Sequence, residues 1–319
     1  DQRPASARDR WRTVVLALLQ AACVAYVAHA LWLERATLRR ALDLSATTLL
    51  LLIVLMILAH LQRSLEFTYM LRRLGVHERF WSGFLLTGAG YLLNHLPLNA
   101  GFMLRAALLK RDHALPYSSY LGLTLVNALI NVAAGAAIGL VAAGIRALQG
   151  DLAVVPLVGF GGVVLAAGLA IWLPSSWVPP GDGFVKKRLR TLLDGTSLIR
   201  GNGVGILLLA GLALTRIVGN ALRLWLCFDA LGTHISALGA ALLGWGSVLF
   251  TLINLTPGNL GLREVVLSFA AAELGSTQTL GMAAASMDRV VLLAYVIAVG
   301  VPGLYSLERR GSLLERPRA

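Results

Sequence analysis

Long runs of apolar residues, separated by short basic segments, make up most of the 319-residue chain. A helix needs about 20 mostly apolar residues to cross the hydrocarbon core of a bilayer, so these runs indicate membrane-spanning helices. We therefore expect an all-α polytopic membrane protein in which residues 1–319 form a single transmembrane domain. The predicted full spans are residues 14–33, 44–62, 117–145, 152–173, 204–226 and 279–307.

The first run, residues 14–33, has a second interpretation as a secretory signal peptide. The segment from Ala28 to Ala30 resembles a cleavage site, which is what that interpretation needs. However, the apolar core of a signal peptide is only about 7–15 residues long. The greater length of this run favours a retained span.

Two further apolar segments, residues 81–109 and 237–274, are each interrupted by the same eight-residue pattern, N-x-x-P-x-N-x-G. The first octet begins at Asn94 and the second begins at Asn254, 160 residues later. Together they hold four of the chain's eight asparagines. An internal repeat of this kind is informative about architecture before any single residue is considered.

Each octet contains the residue types that end one helix and start another. The first asparagine can close a helix in a left-handed cap, and proline cannot continue it. The second asparagine is a favoured N-cap, and glycine lets two backbones come close. These residues are Asn94, Pro97, Asn99 and Gly101 in the first octet and Asn254, Pro257, Asn259 and Gly261 in the second. Two helix kinks are the simpler alternative, but a matched pair favours two broken helical hairpins.

Charge placement predicts the topology. The formal net charge is +12, and the lysines and arginines cluster between apolar runs. Basic segments of membrane proteins face the cytoplasm, so we expect both termini there, together with the segment that holds Arg63, Arg72, Arg73 and Arg79. Each broken segment then returns to the side from which it enters, as a re-entrant hairpin. This placement argues against a nucleic-acid partner.

The order of span, hairpin and span occurs twice, over residues 44–146 and 204–306. The first unit starts outside and the second starts inside, so the two are predicted to be inverted repeats. The fold is therefore six full spans plus two opposed re-entrant hairpins. In transporters built this way, the substrate site lies near the bilayer midplane, between the repeats and at their broken helices.

The half-helices that begin at Asn99 and Asn259 suggest an anion site. The free N–H groups and positive dipole ends of such helices would point toward the membrane centre, where they favour anions and phosphate in particular. Arg105 lies six residues into the first half-helix, and Arg263 with Glu264 lie four and five residues into the second. The sequence therefore predicts a substrate with a phosphate headgroup.

Charged residues inside membrane spans are costly, so each is a candidate site residue. These candidates are Arg105, Arg216, Arg223, Glu264, Asp288 and Arg289. The alternative is an internal ion pair that orients helices, such as Glu264 with Arg289. Arg216 and Arg223 are seven residues apart and share a helix face, and they can also extend toward the membrane surface. Pairing and substrate contact both stay open at this point.

The sequence contains no pattern that indicates catalysis. It lacks a phosphate-binding G-x-x-x-x-G-K-[ST] loop, an H-E-x-x-H motif and a Cys/His cluster with zinc spacing. Its two cysteines, Cys23 and Cys227, both lie in apolar runs. We therefore expect a protein that is not an enzyme and that uses no metal or cofactor.

These residues resemble the lysylphosphatidylglycerol synthase transmembrane-domain family of bacteria and archaea. The resemblance covers residues 44–306. It rests on Asn94, Pro97, Gly101 and Arg105 with the basic Lys110 and Arg111, on Pro257, Gly258, Gly261 and Glu264, and on Asp288 and Arg289. The family usually carries an acidic residue in the span after the first hairpin, whereas residues 127–131 here are uncharged.

The resemblance implies lipid movement between leaflets. The best-known family members join such a membrane domain to a cytosolic aminoacyl transferase, and we expect this chain to be a stand-alone member without it. It implies a flippase of the bacterial inner membrane for a phospholipid or a polyprenyl-phosphate-linked glycolipid, with cell-envelope biosynthetic enzymes as further partners. The alternative is a non-catalytic assembly subunit for a cell-envelope glycosyltransferase.

Overall fold

In the computed structural model of the chain, the described residues are almost all helical and include no strand. The structure describes residues 44–95, 100–148, 154–172, 203–253 and 262–309, together with Trp32 and Gly183. The helices are α1 (Ala46–Arg73), α2 (Phe80–Leu93), α3 (Ala100–His113), α4 (Tyr117–Leu148), α5 (Val154–Trp172), α6 (Gly203–Ala230), α7 (Ala237–Ile253), α8 (Leu262–Glu273) and α9 (Gln278–Arg309).

Four of these helices are long and apolar enough to cross a membrane, and each coincides with a predicted span. They are Ala46–Arg73, Tyr117–Ile145, Gly203–Ala230 and Gln278–Leu307. The predicted span 152–173 appears as α5, which has a shorter apolar stretch, Val158–Ala170. The predicted span 14–33 lies outside the described residues. The all-helical, multi-pass membrane architecture is therefore confirmed.

Helix α1 is longer than the sequence pattern indicated. The predicted span ended at residue 62, but the helix continues for three further turns, to Arg73. It ends where Gly75 adopts a left-handed conformation (φ 79°) and the Val76 N–H donates to the Leu71 carbonyl, the arrangement that commonly terminates helices. Arg63 therefore lies inside α1 rather than after its end, because the turn signal comes only at Gly75, twelve residues later. The cytoplasmic placement of the basic segment stays a prediction.

The short helices α2 and α3 form a helical hairpin whose outer ends lie together. At the end of α3, His113 Nε2 is 2.9 Å from Oε1 of Glu78, just before α2. Helices α7 and α8 do the same: a Cβ added to Gly239, near the start of α7, would lie 3.5 Å from Cδ1 of Leu274, which follows α8. Each pair therefore returns to the end of the bundle at which it starts.

Helix α1 runs antiparallel to α6. Leu52, near the start of α1, shares a buried cluster with Leu224, near the end of α6. Met70, near the end of α1, shares another cluster with Leu209, near the start of α6. Because α2 follows the end of α1 and α7 follows the end of α6, the two hairpins begin at opposite ends of the bundle.

Small residues bring the hairpins against the long helices. In α9, a Cβ on Gly303 would lie 2.5 Å from the Leu85 carbonyl oxygen, and one on Gly300 would meet the Leu92 side chain of α2. In α7, a Cβ on Gly244 would lie 2.7 Å from the backbones of Ile217 and Ala221 in α6. Such close approach is typical of helix packing in membranes, where dispersion contacts rather than the hydrophobic effect hold helices together.

The helices of the two halves correspond in order and closely in length. The first half has helices of 28, 14, 14 and 32 residues. The four helices from α6 to α9 have 28, 17, 12 and 32 residues. The division into inverted units 44–146 and 204–306 and the re-entrant placement of the hairpins stay predictions.

Candidate functional site

The described bundle buries an unusual number of charged side chains. A charge removed from water is strongly destabilising unless it is paired and hydrogen-bonded, so each of these residues demands a partner. The fully buried ones are Glu66 in α1, Arg223 in α6, Arg263 and Glu264 in α8, and Asp288 and Arg289 in α9.

Asp288 accepts hydrogen bonds from two arginines on two different helices. Arg223 Nε lies 2.8 Å from Asp288 Oδ1 and Arg223 Nη2 lies 3.1 Å from Oδ2, which is the bidentate geometry that suits a guanidinium and a carboxylate. Arg263 Nη2 lies 2.6 Å from the same Oδ2. Asp288 is completely buried, and it links α6, α8 and α9 at one point.

Glu264 and Arg289 form the ion pair that the sequence suggested as an alternative to substrate contact. Arg289 Nε is 2.7 Å from Glu264 Oε1, and Arg289 Nη2 is 2.6 Å from the same oxygen. Arg263 Nη1 lies 3.9 Å from Glu264 Oε1 and joins this pair to Asp288. We call these five residues, Arg223, Arg263, Glu264, Asp288 and Arg289, the charge network.

A second buried ion pair joins the two halves directly. Arg216 of α6 donates a hydrogen bond to the carboxylate of Glu66 in α1. The Arg216 side chain is only 11% exposed, so neighbouring helices enclose it. Arg216 and Arg223 lie two turns apart on α6, but they contact different helices, α1 and α9.

Arg63 and Tyr91 form a contact that the sequence analysis missed. The guanidinium carbon of Arg63 lies 4.3 Å from the centroid of the Tyr91 ring, which is a cation–π geometry. Both side chains line a small cleft between four helices. Its lining residues are Met56, Ala59, His60 and Arg63 of α1, Tyr91 of α2, Arg223 of α6, and Leu292 and Tyr295 of α9.

The first octet is built differently from the expected left-handed cap. Asn94 has right-handed helical angles (φ −69°, ψ −12°). Its side-chain Oδ1 accepts a hydrogen bond of 3.1 Å from the backbone N–H of Phe102 in α3. Asn94 therefore satisfies one of the free N–H groups at the start of the next helix, a capping function that we had predicted for Asn99.

The predicted close approach at Gly101 is confirmed. A Cβ at this position would overlap the carbonyl oxygen of Gly90 in α2 and would lie 2.5 Å from Oδ1 of Asn94. Only glycine fits between these groups without a shift of one helix. Gly101 thus brings α3 against α2 at the tip of the hairpin.

Arg105 lies in the same hairpin and outside the charge network. Its Nε donates to the Gly101 carbonyl at 3.2 Å, and its guanidinium carbon is 5.7 Å from the centroid of Phe67 in α1. The structure therefore places Arg105 against α1 and α2, whereas Arg289 lies against α8. The predicted residues Pro97, Asn99, Asn254, Pro257, Asn259 and Gly261 lie outside the described residues.

Three residues near the predicted site were missing from it: Arg63, Glu66 and Tyr91. A signal for Arg63 was present, because Met56, His60, Arg63 and Phe67 follow the spacing of one helix face. Met56, His60 and Phe67 are all buried. Glu66 is the only acidic residue in α1, which makes it the natural partner for an arginine on a neighbouring helix.

The network is suited to electrostatic binding of an anion. It contains three arginines against two carboxylates, and Arg63 adds a fourth cation nearby. Buried Arg263 Nη1 has no hydrogen-bond partner within the described ranges. Among the same residues, no three His, Cys, Asp or Glu side chains group in a way that would hold a metal ion.

Comparison with known proteins identifies the family. A family model described as the lysylphosphatidylglycerol synthase TM region matches residues 11–300. No curated protein and no solved structure matches the chain. Because the family model covers about nine-tenths of the sequence, including all five residues of the charge network, the chain belongs to the lysylphosphatidylglycerol synthase transmembrane-region family.

Proposed function

We propose that this protein moves a lipid with a phosphate headgroup between the leaflets of the bacterial inner membrane. The lipid is a phospholipid or a polyprenyl-phosphate-linked glycolipid. One observation carries the proposal: arginines outnumber carboxylates at the centre of an otherwise apolar helical bundle. Membership of the family supports a lipid-related role, and the buried charge supports an anionic cargo.

The charge balance favours an anion as the missing component. Four cations (Arg63, Arg223, Arg263 and Arg289) face two carboxylates (Glu264 and Asp288) among the described residues, a formal excess of two positive charges. An arginine at the centre of a membrane span costs at least about 2.5 kcal/mol. A phosphate headgroup that enters the bundle would offset part of this unfavourable energy.

The architecture that we propose is an inverted repeat with two opposed re-entrant hairpins. Three features support it. The helices of the two halves match in order and closely in length, α1 is antiparallel to α6, and the hairpins begin at opposite ends of the bundle. In such transporters the substrate site lies near the midplane, where broken helices meet, and the charge network is built on α8, the second helix of one hairpin.

The remaining features of the proposal follow from the sequence. The basic loops support a cytoplasmic location of both termini. The protein moves its cargo without chemical change, so it is not an enzyme. The sequence holds no phosphate-binding loop of the kind that ATPases use, so lipid movement runs down a gradient or is coupled to an ion.

Reconstitution tests the function directly. Liposomes that contain only this protein and a trace of fluorescent phosphatidylglycerol should expose the inner-leaflet lipid to an external quencher faster than protein-free liposomes. A fluorescent monoglucosyl diacylglycerol, which lacks phosphate, should move more slowly. Equal rates with and without protein would contradict the proposal and favour the alternative of a non-catalytic assembly subunit.

Arg289 is the residue to change in this assay. Replacing Arg289 alone leaves the Glu264 carboxylate without its main partner, so the double variant Glu264→Gln/Arg289→Gln keeps the pair neutral. We expect the double variant to stay folded and to lose phosphatidylglycerol movement. Arg72→Gln, which changes an exposed arginine of α1, is the matched control and should move the lipid normally.

A further inference from the structure

The cleft between α1, α2, α6 and α9 is lined by partly exposed residues of α1 and α9. Ala59 and Arg63 of α1 and Leu292 and Tyr295 of α9 are partly exposed along it. Beyond them the surface is apolar, with Leu58 54% exposed and Ile297 43% exposed. A protein with such an apolar surface around long spans presents it to lipid chains, so the cleft opens sideways toward the lipid.

The two arginines in the cleft differ in their partners. Arg223 is held by both oxygens of Asp288. Arg63 has no carboxylate within 4 Å among the described residues; its guanidinium lies on the Tyr91 ring, and its buried Nε lacks a hydrogen-bond partner there. Arg63 is therefore the cation in the cleft that no carboxylate within the described ranges neutralises.

We infer that this cleft receives the phosphate of the lipid cargo from the side and that Arg63 binds it; this inference rests on the proposed function. A guanidinium binds phosphate oxygens through two parallel hydrogen bonds. Arg223, lying deeper, adds positive potential without leaving Asp288. The exposed apolar residues of α1 and α9 then contact the start of the acyl chains, which remain in the membrane.

Tyr91 is a positioning residue in this arrangement. A long arginine side chain has considerable rotamer freedom, and the aromatic face holds it in the cleft when no anion is bound. His60 shapes the opposite wall: its Nε2 lies 3.1 Å from the Phe84 carbonyl oxygen, and its ring packs edge-on against Tyr295. The cleft therefore places the Arg63 cation among the rings of Tyr91, His60 and Tyr295.

Binding measurements on the detergent-purified full chain test the inference. The probes are dioctanoyl phosphatidylglycerol, a dioctanoyl monoglucosyl glycerolipid without phosphate, and inorganic phosphate. We expect Arg63→Gln to weaken phosphatidylglycerol binding by about tenfold or more, because a hydrogen-bonded charge is lost. Binding of the glucosyl lipid should stay unchanged, and Arg72→Gln should bind both lipids as the unmodified protein does.

Two further variants separate charge, geometry and positioning. Arg63→Lys keeps the charge and loses the planar fork, so we expect affinity between those of the unmodified protein and Arg63→Gln. Tyr91→Phe keeps the aromatic face and should bind phosphatidylglycerol normally, whereas Tyr91→Leu should bind it less tightly. Unchanged phosphatidylglycerol affinity in Arg63→Gln would overturn the inference even if every variant folds.

The experiments distinguish a lipid phosphate from free phosphate, and they test the binding site separately from the proposed function. Inorganic phosphate that binds through Arg63 as tightly as phosphatidylglycerol would assign the cleft to a free anion and overturn the lipid assignment. If lipid binds through Arg63 but does not move between leaflets in liposomes, the proposed site stands and the proposed transport function is wrong. If Arg63→Gln binds and moves the lipid as the unmodified protein does, the proposed function stands and the proposed site is wrong.

Discussion

Arg216 and Glu66, which are 150 positions apart in the sequence, form a buried ion pair between α6 and α1. The pair joins the first helix of one half to the first helix of the other. It lies apart from the charge network, since Arg216 contacts α1 and Arg223 contacts α9. We expect this buried pair to determine which helices meet more than it adds stability.

This relationship predicts a strongly non-additive double-mutant cycle. Glu66→Leu or Arg216→Met alone should lower the free energy of unfolding by about 3–5 kcal/mol, because each leaves one buried charge without its partner. The double variant should be much closer to the unmodified protein. Thermal or denaturant unfolding in detergent measures all four proteins. Additive single losses would show that the two residues do not depend on each other.

Glu264 is predicted to compete with the cargo for Arg289. Glu264→Gln removes the negative charge that lies 2.6 Å from Arg289 Nη2, so the arginine becomes more available to an anion. We expect tighter binding or slower release of dioctanoyl phosphatidylglycerol, measured by titration and by dissociation rate. Glu273→Gln, at the exposed end of the same helix, is the control. Weaker binding in Glu264→Gln would assign Glu264 to structure alone.

The tip of the first hairpin gives a packing prediction. Gly101→Ala should destabilise the protein by about 1–3 kcal/mol, because the new methyl group would overlap the Gly90 carbonyl oxygen. Gly144→Ala in α4 is the matched control, since a Cβ there meets nothing within 4 Å. It should be neutral or stabilising by about 0.4–1 kcal/mol. Equal effects in thermal unfolding would contradict the observed contact of α2 with α3.

The capping hydrogen bond from the Phe102 N–H to Asn94 can be tested separately. Asn94→Ala removes the acceptor of the Phe102 N–H and should cost about 1 kcal/mol of stability, the usual loss for an N-cap side chain. Asn94→Asp keeps an acceptor oxygen and should retain most of the stability. If both variants unfold at the temperature of the unmodified protein, the hydrogen bond from Phe102 contributes nothing.

Topology is predicted from the loop charges. Cysteines introduced on a cysteine-free background at positions 113 and 187 should react with an impermeant reagent from the cytoplasmic side, and those at positions 149 and 234 from the outer side. His113 lies beside Glu78 at the base of the first hairpin, so it reports where that hairpin returns. If positions 113 and 187 react from opposite sides of the membrane, the first hairpin is not re-entrant and the repeat is not inverted.

The sequence by itself determined the membrane class, four of the spans and the family. Apolar run length is a local property that reflects transfer from water to lipid, so the four long helices were predictable without knowledge of their neighbours. The Glu264–Arg289 pair was foreseen because two opposite charges in apolar segments have few other partners. Gly101 was predictable as well, since a broken helix needs close backbone approach there.

Only the tertiary structure decided which charges meet. Arg63 looked like a loop residue because the sequence pattern does not show that α1 continues to Arg73, and its partner Tyr91 lies on another helix. Arg216 was a candidate for substrate contact, with extension toward the membrane surface as an alternative, but helix packing places Glu66 beside it. Pairing depends on the rotation and depth of each helix against its neighbours. Those are set by many small packing contacts, such as the glycines of α7 and α9, and not by the local sequence around each charge.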